Sequence, residues 1–327
     1  MKAMIFEKYG NPSEVLHMAE LDKPELQVDE VLVKVIASSI TFSDAAMVYG
    51  KPFLIRFATG GLLKPKQKLM GKDISGVVEA VGSQVTKFKV GDEVFADLFE
   101  CGLKGYAEYV AVPEKWLVQR PSNISFEEAA AAPESAVVAL QGLRDLGKIQ
   151  AGQDVLVVGA SGGIGTYAVQ IAKAYGAHVT GVCSTRNVEL VRSLGVDEVI
   201  DYTTTDFTAG KKKVDLILAT AGYRKLADYQ KALKPTGIHV VTGGKMSQLF
   251  EAMLLGAMRT RGTQQKMTSL SMHPNPDDLR QIKEWFEMGK IKSVIDSVYP
   301  LSGLGEAMEY YAGRHARGKV VVRIAQV

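Results

Sequence analysis

The stretch VLVVGASGGIGTYAVQIAKAYGA, residues 155–177, restricts the possible folds more than any other part of the chain. An apolar run long enough for one buried strand is followed by a glycine-rich turn, and apolar residues then recur at helical spacing. Within the turn, Ala160-x-Gly162-x-x-Gly165 matches the G-x-G-x-x-G fingerprint with Ala in the first place. Gly162 lets the backbone approach a pyrophosphate, Gly165 lets helix and strand pack closely, and Gly159 and Gly163 add conformational freedom. A helix start presents free N–H groups and the positive end of a dipole, which together attract phosphate oxygens. Ala160, Ser161, Gly162, Gly163, Ile164 and Gly165 are therefore the candidate phosphate-binding residues. The bland alternative is a tight strand-to-helix turn that binds nothing.

What favours the dinucleotide reading is the sequence that follows. Apolar strands alternate with helical stretches through DVLVVG, HVTGVCS, EVIDY, VDLILAT and HVVTGG, with helices expected over TYAVQIAKAYG, NVELVRSLG and LADYQKALKPTG. Nearly all-apolar strands separated by helices specify a parallel sheet covered on both faces, a doubly wound α/β domain of the Rossmann kind. About 20 residues past the glycines, an NAD site carries Asp or Glu for the ribose 2′-OH. Here Val182, Cys183, Ser184, Thr185, Arg186 and Asn187 hold those places, with no carboxylate among them. Ser184 can donate to a 2′-phosphate and Arg186 can pair with it through a planar fork, so NADPH is expected rather than NADH. The alternative is an ordinary N-cap beside an exposed arginine.

The first 120 residues have a different texture, with short β-type runs (EVLVKVIAS, GVVEAVGS, VGDEVFA, GYAEYVAVP) between Gly, Pro and Asp turns. Residues 51–70 have no clear period and are long for a plain connection, as expected of a loop over a site. Near Pro121 an Ala-rich helical stretch begins, with Ser125 as N-cap and Glu127 and Glu128 in its first turn. Two domains are expected: residues 1–123 and 269–327 forming one, and residues 124–268 the dinucleotide domain between them.

Charge and composition exclude several classes. The 39 basic residues are interleaved with 36 acidic ones, so the net charge of +3 implies no nucleic-acid partner, and Lys211, Lys212 and Lys213 read as a solvated turn. Cys101 and Cys183 form neither a disulfide framework nor a Cys-x-x-Cys pair, which fits a reducing compartment. No window reaches ~18 uninterrupted apolar residues, and the N-terminus MKAMIFEKYG lacks a signal-type stretch. A cytoplasmic protein without a membrane partner is the expectation.

Taken together, IFEKYGNPSEVL, LMGKDISGVVEAVGSQVTKFKVGDEVFA, GYAEYVAVP, GASGGIGTYAVQIAKAYGAHVTGVCSTRN and the closing ARGKVVV resemble the zinc-independent, quinone oxidoreductase-like branch of the medium-chain dehydrogenase/reductase superfamily. The resemblance spans nearly the whole chain. It implies a GroES-like β-rich substrate domain built from both chain ends around the Rossmann domain. It also implies cofactor contacts at Ser184, Arg186, Tyr202, Ala219, Thr220, Thr242 and Gly243, and a homodimer joined through the last Rossmann strand, with FEAMLLGAM contributing apolar surface. Zinc-dependent relatives place a Cys in the loop matching residues 40–44 and a His-Glu pair at the position of Lys72 and Asp73; this chain has Thr41, Lys72 and Asp73 there. An ammonium group and a neutral hydroxyl are poor zinc ligands, and His17, His178, His239, His273 and His315 show no paired spacing. No metal is expected.

Without a Lewis acid, a conjugated acceptor is the easier substrate, because hydride addition leaves an enolate that a few hydrogen-bond donors can stabilise. The expected activity is NADPH-dependent reduction of a quinone or an α,β-unsaturated carbonyl. Thr41, Asp44 and Tyr49 are the candidate catalytic residues: Tyr49 as an oxyanion donor or as packing, Asp44 chiefly to orient the loop. The family often has Asn at Thr41 and Thr at Val138. Two further readings stay open, a cofactor-binding but catalytically idle protein and a metal-free carbonyl or alcohol dehydrogenase.

Overall fold

The computed structural model describes all residues except Ala58, Thr59, Lys211, His315, Val327 and the side chain of Met246. Lys211 of the lysine turn and the histidine His315 thus lie outside the described residues. The strands in chain order are β1 (Lys2–Phe6), β2 (Leu16–Glu20), β3 (Glu30–Ser39), β4 (Asp73–Val81), β5 (Glu93–Asp97), β6 (Tyr109–Pro113) and β7 (Val118–Gln119). They continue as β8 (Asp154–Val158), β9 (His178–Cys183), β10 (Glu198–Asp201), β11 (Val214–Ala219), β12 (Leu233–Val241), β13 (Lys266–Ser269), β14 (Ile295–Pro300) and β15 (Lys319–Arg323).

Contacts divide the chain into two compact units: Met1–Glu134 with Pro274–Glu287 and Ser293–Val327, and Ser135–His273 with Met288–Lys292. In the first, the main sheet has the order β14-β15-β3-β4-β5-β7, with β6 also paired to β3. The alternation of EVLVKV sends Val31, Val33 and Val35 into one cluster with Ile74, Val94 and Val110, while Ile36 and Ala37 face another. A third cluster gathers Phe6, Ile40, Met47, Met70 and Tyr106 with Leu304, Met308 and Val320 from the other end of the chain.

In the second unit six parallel strands run β10-β9-β8-β11-β12-β13, the doubly wound 3-2-1-4-5-6 arrangement. Its interior is built from Leu156, Val158, Val182, Ile217, Tyr229 and Val241.

Two boundaries differ from the expectation. The helix Phe126–Ala130 is capped by Ser125 as anticipated, but it belongs to the first unit, because Phe126, Ala130 and Ala131 pack on Ile36, Ala37 and Val321. Its composition marked a helix correctly and its partner incorrectly. After the first-unit helix Pro276–Glu287 the chain returns to the second unit for residues 288–292. There the Gln170 amide donates to Lys292 O at 3.0 Å and accepts from Lys292 N at 2.9 Å.

Candidate functional site

The glycine turn behaves as its spacing requires. Gly159 follows β8 with φ +84°, and a β-carbon there would lie 2.6 Å from that of Ala221. At Gly165 a β-carbon would sit 2.0 Å from Gly159 O, so only glycine lets the helix Gly163–Ala174 approach the turn this closely. Gly162, the N-cap, faces open space: its β-carbon would meet nothing nearer than 3.5 Å. The amides of Gly163, Ile164 and Gly165 have no intrahelical acceptor and give the helix start its affinity for anions. Ala160 is fully buried, and its N–H shares Val182 O with that of Gly159.

The C-terminal edge of the same sheet collects the remaining cofactor candidates. Asn187 was not singled out by sequence, yet its Nδ2 donates to Ser161 Oγ at 2.9 Å and to Ser184 Oγ at 3.3 Å. It ties the turn to the end of β9, and its own Oδ1 is buried without a partner. Arg186 is exposed beside it, and Tyr202, 53% exposed, follows β10 with its N–H on Cys183 O. One acidic group does stand at this edge. Asp201 ends β10 opposite Cys183, and hydrogen bonds from the hydroxyls of Thr185 and Thr203 hold its carboxyl below the usual range. Its charge is therefore already hydrogen-bonded, although the β9 end itself carries no carboxylate.

Farther along, Thr220 Oγ1 donates to Val158 O at 2.9 Å, so this hydroxyl serves the strand. Thr242 N–H donates to Ala219 O at 2.9 Å, while Thr242 Oγ1 is buried without a partner. A β-carbon on Gly243 would lie 2.3 Å from Thr220 O. A glycine-lined helix start, an orphaned hydroxyl and an exposed arginine along one sheet edge together fit a phosphorylated dinucleotide.

In the first unit, Thr41 is the N-cap of the helix Phe42–Tyr49 and forms a capping box with Asp44. Thr41 N donates to Asp44 Oδ2 at 3.0 Å, Thr41 Oγ1 donates to the same oxygen at 2.8 Å, and Thr41 Oγ1 lies 2.8 Å from Ser43 Oγ. Tyr106 OH also donates to Asp44 Oδ2, at 3.2 Å, whereas Oδ1 is buried and unpaired. Burial pushes the Asp44 carboxyl up to about 6 against the stabilising bonds from Thr41. Tyr49 is not part of this cluster. Eight residues on, it stands ~12 Å along the helix axis from Thr41, where burial and the charge of Glu309 push its phenol up. Tyr49 thus stands at the far end of the helix from Thr41 and Asp44.

Lys72 and Asp73 sit in a buried charge network. The Lys72 ammonium lies 3.4 Å from Glu134 and 3.6 Å from Asp97, while Lys319 lies 3.5 Å from Asp73. Desolvation opposes the Lys72 charge, but Glu134, Asp97, Asp73 and Asp44 outweigh it and keep the group protonated. Asp73 accepts from Ser39 Oγ at 2.8 Å and from Glu134 N at 2.9 Å. These donors do not fit zinc: a held ammonium cannot ligate it, and the Thr41 hydroxyl is already engaged. Among the described residues, no group of three or more His, Cys, Asp or Glu side chains could hold a metal ion.

Comparison with known proteins agrees with this construction. Residues 27–122 match the alcohol dehydrogenase GroES-like domain, and residues 194–322 match the zinc-binding dehydrogenase domain. The chain is 36% identical to the NADPH-dependent alkenal/one oxidoreductase, chloroplastic, of Arabidopsis thaliana, over 98% of this chain and 79% of that one. It is 33% identical to the chloroplast envelope quinone oxidoreductase homolog of the same plant, covering 98% of each. The structure of the quinone oxidoreductase from Coxiella burnetii superposes with a TM-score of 0.87 at 27% identity, covering 99% of both chains. The chain belongs to the zinc-independent, quinone oxidoreductase-like branch of the medium-chain dehydrogenase/reductase superfamily.

Proposed function

We propose that this chain is an NADPH-dependent reductase of α,β-unsaturated carbonyls and quinones. The observation that carries the reading is the buried, ion-paired Lys72 at the position of a zinc ligand in metal-dependent relatives. With no Lewis acid at that position, a simple ketone lacks a stabiliser for its alkoxide, whereas a conjugated acceptor spreads the charge as an enolate. The names of the Arabidopsis relatives, an alkenal/one oxidoreductase and a quinone oxidoreductase homolog, support the same substrate classes.

Gly162 to Gly165 hold the bridging phosphates, Ser184 and Arg186 the ribose phosphate, and Thr242 Oγ1 donates to the bound ligand; Tyr202, Ala219, Thr220 and Gly243 line the same edge. When bound, NADPH supplies the hydride. Asp44 fixes the Thr41 backbone and takes the Thr41 hydroxyl proton, so the half-buried Ser43 hydroxyl donates to Thr41 Oγ1 and keeps only acceptor capacity. Tyr49 takes a packing role.

A homodimer through β13 and a cytoplasmic, reducing setting complete the proposal. The first is supported by the free sheet edge, the second by the two free thiols, Cys101 and Cys183. Steady-state NADPH oxidation against quinones, enones and simple aldehydes is the test. Turnover is expected with the first two and not with the aldehydes. Tight NADPH binding without turnover on any acceptor would instead identify a catalytically idle protein. Arg186→Ala should weaken NADPH binding roughly 10- to 100-fold while leaving NADH unaffected; equal loss for both cofactors would reject the 2′-phosphate assignment.

A further inference from the structure

Residues 51–70 of the first unit have two unlike faces. Ile55 and Met70 turn inward onto the cluster containing Phe6, Met47 and Tyr106. Phe53, Leu54, Phe57, Leu62 and Leu63 turn outward, with 57, 66, 62, 42 and 92% of their surfaces exposed. The backbone beneath them is fixed. Arg56 donates to Gly50 O at 3.1 Å and to Leu62 O at 3.0 Å, its guanidinium lies 4.6 Å from the centre of the Tyr9 ring, and Tyr9 OH donates to Gly61 O. A β-carbon on Gly61 would come within 2.0 Å of Lys64 O, so the turn there is tight as well. Exposure of the apolar side chains thus follows from a held turn.

The charge carried by this segment itself has one sign, with Glu7, just after β1, as an acidic neighbour of Lys68 and Lys64. Residues 51–70 hold five basic side chains and no Asp or Glu. Lys68 is paired with Glu7 and Arg56 points inward, which leaves Lys51, Lys64 and Lys66 exposed at the margin. A second copy docking the same face would set these lysines against their counterparts. A surface of dense negative charge over an apolar interior complements both features.

We propose that this face docks on an anionic lipid surface, with the phenylalanines and leucines entering the headgroup–acyl boundary and the three lysines meeting lipid phosphates. A chain without a spanning helix can still lie on a bilayer. Long lysine stems can cover apolar surface while their ammonium groups reach the headgroups.

Cosedimentation of the full chain with vesicles tests the proposal independently of turnover, and so independently of the reductase reading. Vesicles of phosphatidylcholine alone are compared with vesicles containing phosphatidylglycerol, at low and raised salt. Binding is expected only with the anionic lipid and should fall with salt. Each lysine should contribute about fivefold to partitioning, so Lys64→Gln with Lys66→Gln should cost roughly 25-fold. Phe57→Ser with Leu63→Ser should cost at least about tenfold, and because these side chains are already exposed, circular dichroism should be unchanged. Equal pelleting with neutral lipid, or binding indifferent to both variants, overturns the proposal. So does a change of oligomeric state in the Phe57/Leu63 variant with vesicle binding intact, which would assign the face to a second copy.

Discussion

His239 is fully buried on β12, stacked on Tyr229 at 4.3 Å, and neither of its ring nitrogens has a partner. Burial alone pushes its pKa down from 6.5 to about 3. Between those values the unfolded chain binds the proton and the folded one does not, so stability is lost as pH falls through the window and is flat above it. Asp44 has the opposite sign: burial raises its carboxyl from 3.8 to about 6, so its contribution is lost as pH rises across that range. A comparison between variants separates the two. Relative to His239→Leu, the wild type should lose about 2 kcal/mol of stability between roughly pH 7 and pH 5, measured by urea unfolding; parallel pH profiles would refute the assignment. Such a residue was not legible as more than a scattered histidine, because its burial depends on the helix Leu226–Ala232 placing Tyr229 against it. Gly165 was legible, since its requirement is local to one turn. Asn187 was not: the two serines it joins lie in different segments and meet only once β8 and β9 pair.

Local chemistry decides elements as far as it decides their ends. Ser125 and Glu128 satisfy each other's backbone N–H groups at the start of the helix Phe126–Ala130, a capping box whose spacing is visible in sequence. Ser125→Ala should cost about 1 kcal/mol and lower the melting temperature by roughly 2–4 °C, read by calorimetry; no shift would mean that packing alone holds the helix. What sequence could not give was the unit this helix packs on, because an alanine-rich face fits either neighbour. A similar limit applies to LADYQKALKPTG. The helix stops at Ala232 and β12 begins at Leu233, with a register shift before Ile238. Lys234 precedes a proline, a position biased toward extended backbone, and Leu233 pairs with Val214. Helix-forming composition extended the apparent helix past the point where strand pairing takes over. The charge network shows the same division: Lys72 is legible as an unsuitable metal ligand, but its partners Asp97 and Glu134 come from a distant strand and helix, and Lys319 reaches Asp73 from β15.

At the scale of the whole molecule, a two-unit chain whose ends share one unit followed from texture and resemblance together, while the proposed homodimer rests on a surface that sequence marks only as apolar. The helix Met246–Arg259 packs on its own unit with small residues, Ala252, Gly256 and Thr260, spaced four apart. A β-carbon on Gly256 would lie 2.1 Å from Met267 O, so the helix lies close against β13. The other side is apolar as well, with Phe250, Met253, Leu254, Leu255 and Met258 between 44 and 72% exposed. A helix apolar all round is normally covered on both sides, and five such side chains together exceed what a monomer's surface usually leaves open. Beside them, among the described residues, β13 pairs with β12 alone, leaving its other edge open to an equivalent strand. A twofold contact that pairs β13 with its copy would cover both features at once. Leu254→Glu with Met258→Glu should therefore convert a dimer to a monomer in sedimentation equilibrium, with the melting temperature made concentration-independent. Because both side chains are exposed within one chain, the unit itself should stay folded; a dimer that survived the double substitution would place the interface elsewhere.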